Sequence, residues 1–293
     1  MSGRLPQLVR MKYETQTPGT PYPMPFTLSH AAAALPFRKL KPVWPALVMG
    51  TFAPDLQYFI LLSHEDRSGH RFPDLLLFTL PVAVVTLWLF ESIAKKPVIE
   101  LLPSGIQRRL QDKLEPLPFR GWKQVGSIVL WICVGIATHL IWDQFTHSHS
   151  WLPSRWTWLK TSVSVPFLHP MTPMTILQHV STVLGLAILF VWLLAWYRRT
   201  ASLPIADSRE LPGLVKVAIV FSMGAVALLI GYPLAIFKLV DRPLTISRLT
   251  IFATIFVAAT FVFSAELLVY GLAFRLATRS RRVPAPRFDE TPR

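Results

Sequence analysis

Charge is scarce in this sequence, and cysteine is almost absent. Of 293 residues only 16% are charged, against roughly a quarter in an ordinary soluble domain. Hydrophobic residues make up 52% of the chain. This argues against a soluble globular enzyme, a disordered chain and a coiled coil. A single cysteine, Cys133, excludes an internal disulfide and any cysteine-based zinc site. It lies in an apolar run and reads as an inert buried thiol. There is no glycine-rich phosphate loop and no internal repeat, and twenty-six prolines argue against an uninterrupted helical rod.

What remains is a basic, apolar chain with a net charge of +14. A nucleic-acid binder gathers such charge on one face of a soluble domain. Here the basic residues fall between apolar runs, the distribution of a multi-pass membrane protein, so a nucleic-acid partner is the least favoured reading. A helix needs about 20 apolar residues to cross the hydrocarbon core. Charge-free windows predict spans at 75–90, 124–142, 174–197, 217–237 and about 249–274, the last with Glu266 inside it. A further pair of short apolar segments, 29–37 and 42–54, is separated by Arg38, Lys39 and Lys41. It predicts a short helical hairpin, re-entrant or packed within the bundle, where protein covers the backbone. The expected fold is therefore all-α: a helical bundle of five spans plus an N-terminal hairpin.

Lysine and arginine counts orient the bundle. There are seven between 95 and 123, four between 198 and 216 and six after residue 270, but only two between 144 and 173 and three between 238 and 248. The rich side is cytoplasmic, so segments 63–73 and 144–173 are expected outside. The aromatic loop with Trp151, Trp156 and Trp158 suits the outer interface. Residues 1–23 and 279–293 read as disordered flanks of one integral membrane domain over 24–278, and Met24 is an alternative start.

Ionisable groups inside apolar segments are costly, which makes each a functional candidate. His139, Asp143 and His147 are spaced i, i+4, i+8, so they share one helix face at the outer end of their span. An imidazole and a carboxylate four apart can clamp a divalent ion. The alternative is a polar helix end meeting water, and for His147 the two readings balance. Pro54-Asp55 closes the expected short helix 42–54, where the carboxylate is either a ligand or a turn residue. His30 follows Thr27 and Ser29, either of which can cap the first helix of the hairpin. In a hairpin, His30 and Asp55 share the open end; a satisfied structural histidine is the equal alternative. His70 lies at the outer mouth of span 75–90, and His179 one turn into span 174–197, again at the outer end. Glu266 is expected to pair with a basic residue of a neighbouring helix. His149 and His169 read as solvent or loop residues. The outer candidates come from four segments and point to one shared site.

The motifs MPFTLSHAAAALPF, PALVMGTFAPDLQYF, Ser68-Gly69-His70, THLIWDQFTH and ILQHVSTVLG resemble a bacterial membrane family, domain of unknown function 4184, over most of residues 24–200. More remotely, the layout is similar to inner-membrane metal-dependent hydrolases regulated by the LexA repressor. That likeness implies a metal-dependent hydrolytic role, with His30, Asp55, His70, His139 and Asp143 as candidate metal ligands and His147 and His179 secondary. A remaining carboxylate or histidine, such as His147 or His179, is the expected catalytic proton shuttle. The chain departs from those hydrolases by carrying His-Glu-Asp-Arg-Ser-Gly-His in place of their tighter loop.

The expected function is thus a membrane protein with an outward-facing His/Asp metal site. It would act hydrolytically on a phosphoester, amide or lipid-linked substrate at the bilayer surface. Mixed nitrogen and oxygen donors suit zinc, with manganese or iron as alternatives. Two rivals use the same residues: a proton- or ion-coupled transporter, and a non-catalytic protein whose polar cluster only ties the bundle together.

Overall fold

The computed structural model describes residues 27–40, 43–62, 70, 72–146, 155–164, 170–204, 210–240 and 248–279. The segment 1–23 and His64, His147, His149 and His169 lie outside the described residues, as does the tail after Arg279. Among the described residues the fold is all-α, with one isolated antiparallel bridge between Val163 and Met171. A 3-10 helix, Thr27–Phe37, opens it. Six longer helices follow: α1 (Trp44–Ile60), α2 (Phe72–Leu101), α3 (Trp122–Thr146), α4 (Pro173–Arg199), α5 (Gly213–Leu239) and α6 (Arg248–Arg279). The last five are long and apolar enough to cross a membrane, and they coincide with the five predicted spans. Their outward faces carry large exposed apolar side chains such as Val183, Phe190, Phe221, Leu229 and Phe237, as expected of surfaces compatible with lipid.

The hairpin forms, with two corrections. Its first arm is 3-10 rather than α, and Ser29 sits inside it instead of capping it. Ser29 is packed so closely on α4 that a Cβ at Gly185 would lie 2.8 Å from its side chain. The second arm does not stop at Pro54 but runs on to Ile60, which puts Asp55 in the helix interior. Proline there removes one backbone hydrogen bond, to the carbonyl of Gly50. The helix persists because Ala46, Leu47, Ala53 and Pro54 are buried. The Trp44 indole donates to the Ala34 carbonyl at 3.0 Å and closes the hairpin.

The first span is longer than its charge-free window. Glu91 was a boundary in sequence, yet it is buried in α2, where it accepts from Lys95 Nζ at 2.7 Å and from the Leu117 amide at 2.8 Å. A charged pair satisfied in this way no longer ends a helix. α2 contains two widened π turns, Leu75–Thr79 and Phe90–Ala94, preceding Pro81 and Pro97. A π turn relieves the clash between a proline ring and the preceding carbonyl.

Much of the lysine- and arginine-rich stretch 95–123 is folded. A short helix, Ser104–Gln107, continues as a 3-10 turn to Lys113. Lys216, buried at the start of α5, donates to the Leu102 carbonyl at 3.1 Å and to Gln107 Oε1 at 2.8 Å. Glu210 stands before it, its carboxyl held below the usual range chiefly by a hydrogen bond from Ser104, with Lys216 and Arg108 adding attraction.

α1 and α3 cross in close backbone contact at Gly50 and Gly135. A Cβ at Gly50 would lie 2.2 Å from the Ile132 carbonyl, and one at Gly135 would lie 2.3 Å from that of Leu47. Only glycine fits on either side, as at tight crossings between membrane helices. Ala53, Ile128, Ile132 and Ile136 fill the space around it. This crossing sets the height of α1 against α3, and therefore what faces what one turn further along.

Candidate metal centre

Thr51 follows Gly50 directly on α1, and His139 lies one turn beyond Gly135 on α3. His139 Nδ1 lies 2.8 Å from the Thr51 carbonyl oxygen. A carbonyl only accepts, so Nδ1 carries the proton and donates. This fixes the ring and turns Nε2 toward two carboxylates: Asp143 Oδ2 at 3.1 Å, one helical turn on, and Asp55 Oδ1 at 3.7 Å, on α1. His70 reaches the same two groups, with Nε2 3.3 Å from Asp143 Oδ2 and 3.7 Å from Asp55 Oδ1. His30, from the 3-10 helix, sets Nε2 3.7 Å from the other oxygen of Asp143, Oδ1. Its ring stacks on that of His139, with centroids 4.0 Å apart.

The cluster is nearly dry. His139 is 1% exposed, Asp55 2%, His30 4% and Asp143 5%, while the side chain of His70 is 19% exposed and forms the open side. Within this pocket Asp55 Oδ2, His70 Nδ1 and His139 Nε2 are buried without a hydrogen bond. Buried polar atoms without partners are uncommon and each calls for an explanation. An imidazole lone pair facing carboxylate oxygens is repulsive unless a cation, or a second proton on the ring, stands between them.

The donor spacing fits a metal. Four donors at about 2.0–2.2 Å from a tetrahedral ion are separated by about 3.3–3.6 Å. The nitrogen–oxygen separations here run from 3.1 to 3.7 Å. Asp55, His70 and His139 form one group of potential ligands, and His30, His139 and Asp143 a second, each with its atoms within 4.8 Å of one another. The hydrogen bond from His139 to the Thr51 carbonyl is the outer-shell contact that metal-bound histidines commonly make.

All five residues expected as ligands thus come together. His179 does not join them: it is exposed on α4, and its neighbour Gln178 faces inward. His179→Ala is accordingly expected to leave the metal content of the purified protein unchanged, as read by elemental analysis. Glu266 lacks its expected basic partner among the described residues. Its Oε2 is buried without a hydrogen bond, and the residue lines an apolar groove between α5 and α6 with Ile219, Met223 and Val262.

Sequence reading missed several neighbours of the cluster. The Thr51 carbonyl is backbone and leaves no residue-type signal; the i, i+4 pair Thr51 and Asp55 was the available hint. Gln57, 1% exposed, is buried two residues from Asp55. The ring of Tyr58 stacks on His70 at 6.2 Å and Trp142 meets His30 edge-on at 6.3 Å.

Comparisons with curated proteins and with solved structures return no match, so the more remote hydrolase likeness gains no support from them. A family model described as Domain of unknown function (DUF4184) matches residues 24–272. With five membrane-length helices and most of its length covered by that model, the chain belongs to the DUF4184 family.

Proposed function

We propose that this protein binds a divalent cation through Asp55, His70, His139 and Asp143, with His30 alongside, and hydrolyses a substrate at the membrane surface. The observation that carries the reading is the convergence of these side chains, from four separate segments, on one dry pocket with donor separations of 3.1–3.7 Å. Histidine and carboxylate donors suit zinc first, then manganese or iron.

A cation held there would supply Lewis acidity and make water reactive near neutral pH. The residues supply the rest. The Thr51 carbonyl holds the His139 ring in one tautomer and orientation. Asp55 offers Oδ1 toward the histidines and keeps Oδ2 uncommitted, able to take a proton from attacking water. His70 leaves the pocket accessible on one side. The lysine and arginine distribution favours a position near the outer leaflet. A pocket at that level favours a substrate with an apolar portion, such as a lipid-linked ester or phosphoester.

The test is elemental analysis of the full chain purified in detergent, paired with hydrolysis of chromogenic ester and phosphodiester substrates before and after chelation. Stoichiometric zinc, manganese or iron and chelator-sensitive turnover are expected. Metal without any metal-dependent turnover would sink the hydrolase. Metal-free protein that takes up none on addition would leave a purely structural cluster of His–Asp ion pairs.

A further inference from the structure

We infer that the pocket holds two divalent cations, bridged by Asp143, with His30 as the histidine of the second; this rests on the metal-centre reading above. The evidence is the way His30 and His139 share one carboxylate. Their rings are stacked, with centroids 4.0 Å apart and planes only 22° from parallel. Each imidazole bonds a metal along a lone pair lying in its own ring plane. A single ion placed between two near-parallel stacked rings lies out of both planes and off both lone pairs.

The two nitrogens also address different oxygens of the same side chain. His139 Nε2 faces Asp143 Oδ2 at 3.1 Å, and His30 Nε2 faces Oδ1 at 3.7 Å. A carboxylate approached from both oxygens by two parallel imidazoles has the arrangement of a bridge. The ring spacing of 4.0 Å agrees with the metal–metal separation of about 3.5–4 Å in two-metal hydrolytic sites.

The two positions differ in kind. The first has four protein donors: Asp55, His70, His139 and Asp143 Oδ2. The second draws on His30 and Asp143 Oδ1. With only two protein donors, the second position is the more open to water and the weaker of the two. His30, set on the hairpin and wedged by Ser29 against Gly185, is the residue that creates it.

The experiment is Mn2+ binding to the full-length protein in detergent, counted by equilibrium dialysis and examined by electron paramagnetic resonance. Two Mn2+ per chain and an exchange-coupled spectrum are expected at saturation. His30→Ala should bind one, with an uncoupled six-line spectrum, and should change the affinity of the remaining ion less than about tenfold, the lower bound for losing an outer-shell partner. His30→Gln guards against misfolding and should behave in the same way. One Mn2+ in the unmodified protein, or two coupled ions in both His30 variants, would overturn the second site while leaving the first intact. No Mn2+ in the unmodified protein would instead overturn the metal-centre reading from which this one starts.

Discussion

Asp143→Ala is expected to empty the centre. Asp143 lies within 4 Å of all three histidines, at 3.7, 3.3 and 3.1 Å from His30, His70 and His139. Losing an outer-shell partner typically weakens metal affinity 10–100-fold, so losing the carboxylate at the middle of the donor set should cost more than about a hundredfold. Elemental analysis after gel filtration should show substoichiometric metal. His139→Ala should have the same outcome, because it removes the donor common to both candidate groups. The pH dependence has a fixed sign. Histidine binds metal only when its coordinating nitrogen is unprotonated, so the cation should be lost as pH falls and regained as it rises. If either alanine variant retains the metal content of the parent, the cluster is not the binding site.

Gly135→Ala is expected to damage the same centre from a distance. Its new Cβ would stand 2.3 Å from the Leu47 carbonyl and 2.7 Å from Gly50 Cα. Both are backbone atoms, so the helices themselves must separate. Overpacking of this kind costs about 1–3 kcal/mol, occasionally more, and the upper end is expected where no flexible side chain can yield. Separating α1 from α3 also lengthens the contact between His139 and the Thr51 carbonyl and withdraws Asp55 from the pocket. A lowered thermal midpoint and reduced metal affinity should therefore appear together. Gly224→Ala, with nothing within 4 Å of its Cβ, is the matched control and should change neither. A Gly135→Ala protein with parental stability and metal content would show that the crossing does not set the site.

The spans were legible in the sequence because lipid imposes a simple rule: charge-free windows of membrane length. The rule failed where a charge is neutralised locally. Glu91 bounds the charge-free window, but Lys95 and the Leu117 amide satisfy it inside a longer helix. Pro54 likewise marks an expected helix end, yet burial carries α1 past it. Of the candidate site, residues out of place in an apolar run could be named, and His139 with Asp143 followed from helical spacing alone. What decides their geometry could not. Gly50 and Gly135 stand far apart in the chain, and nothing in composition says that they meet. His179 has the same local signature as His139, a polar residue near the end of a span, yet helix rotation turns it outward and Gln178 inward. Rotation about a helix axis is set by packing partners, which periodicity does not supply when all faces are apolar.

The most direct test of the centre is X-ray absorption at the K edge of the metal that copurifies with the full-length chain. A first shell of nitrogen and oxygen at about 2.0–2.2 Å, with outer-shell scattering from at least two imidazoles and no sulfur, is the expected spectrum. An ion surrounded only by water oxygens, or a spectrum unchanged in His139→Ala, would contradict a centre built from His70, His139, Asp55 and Asp143.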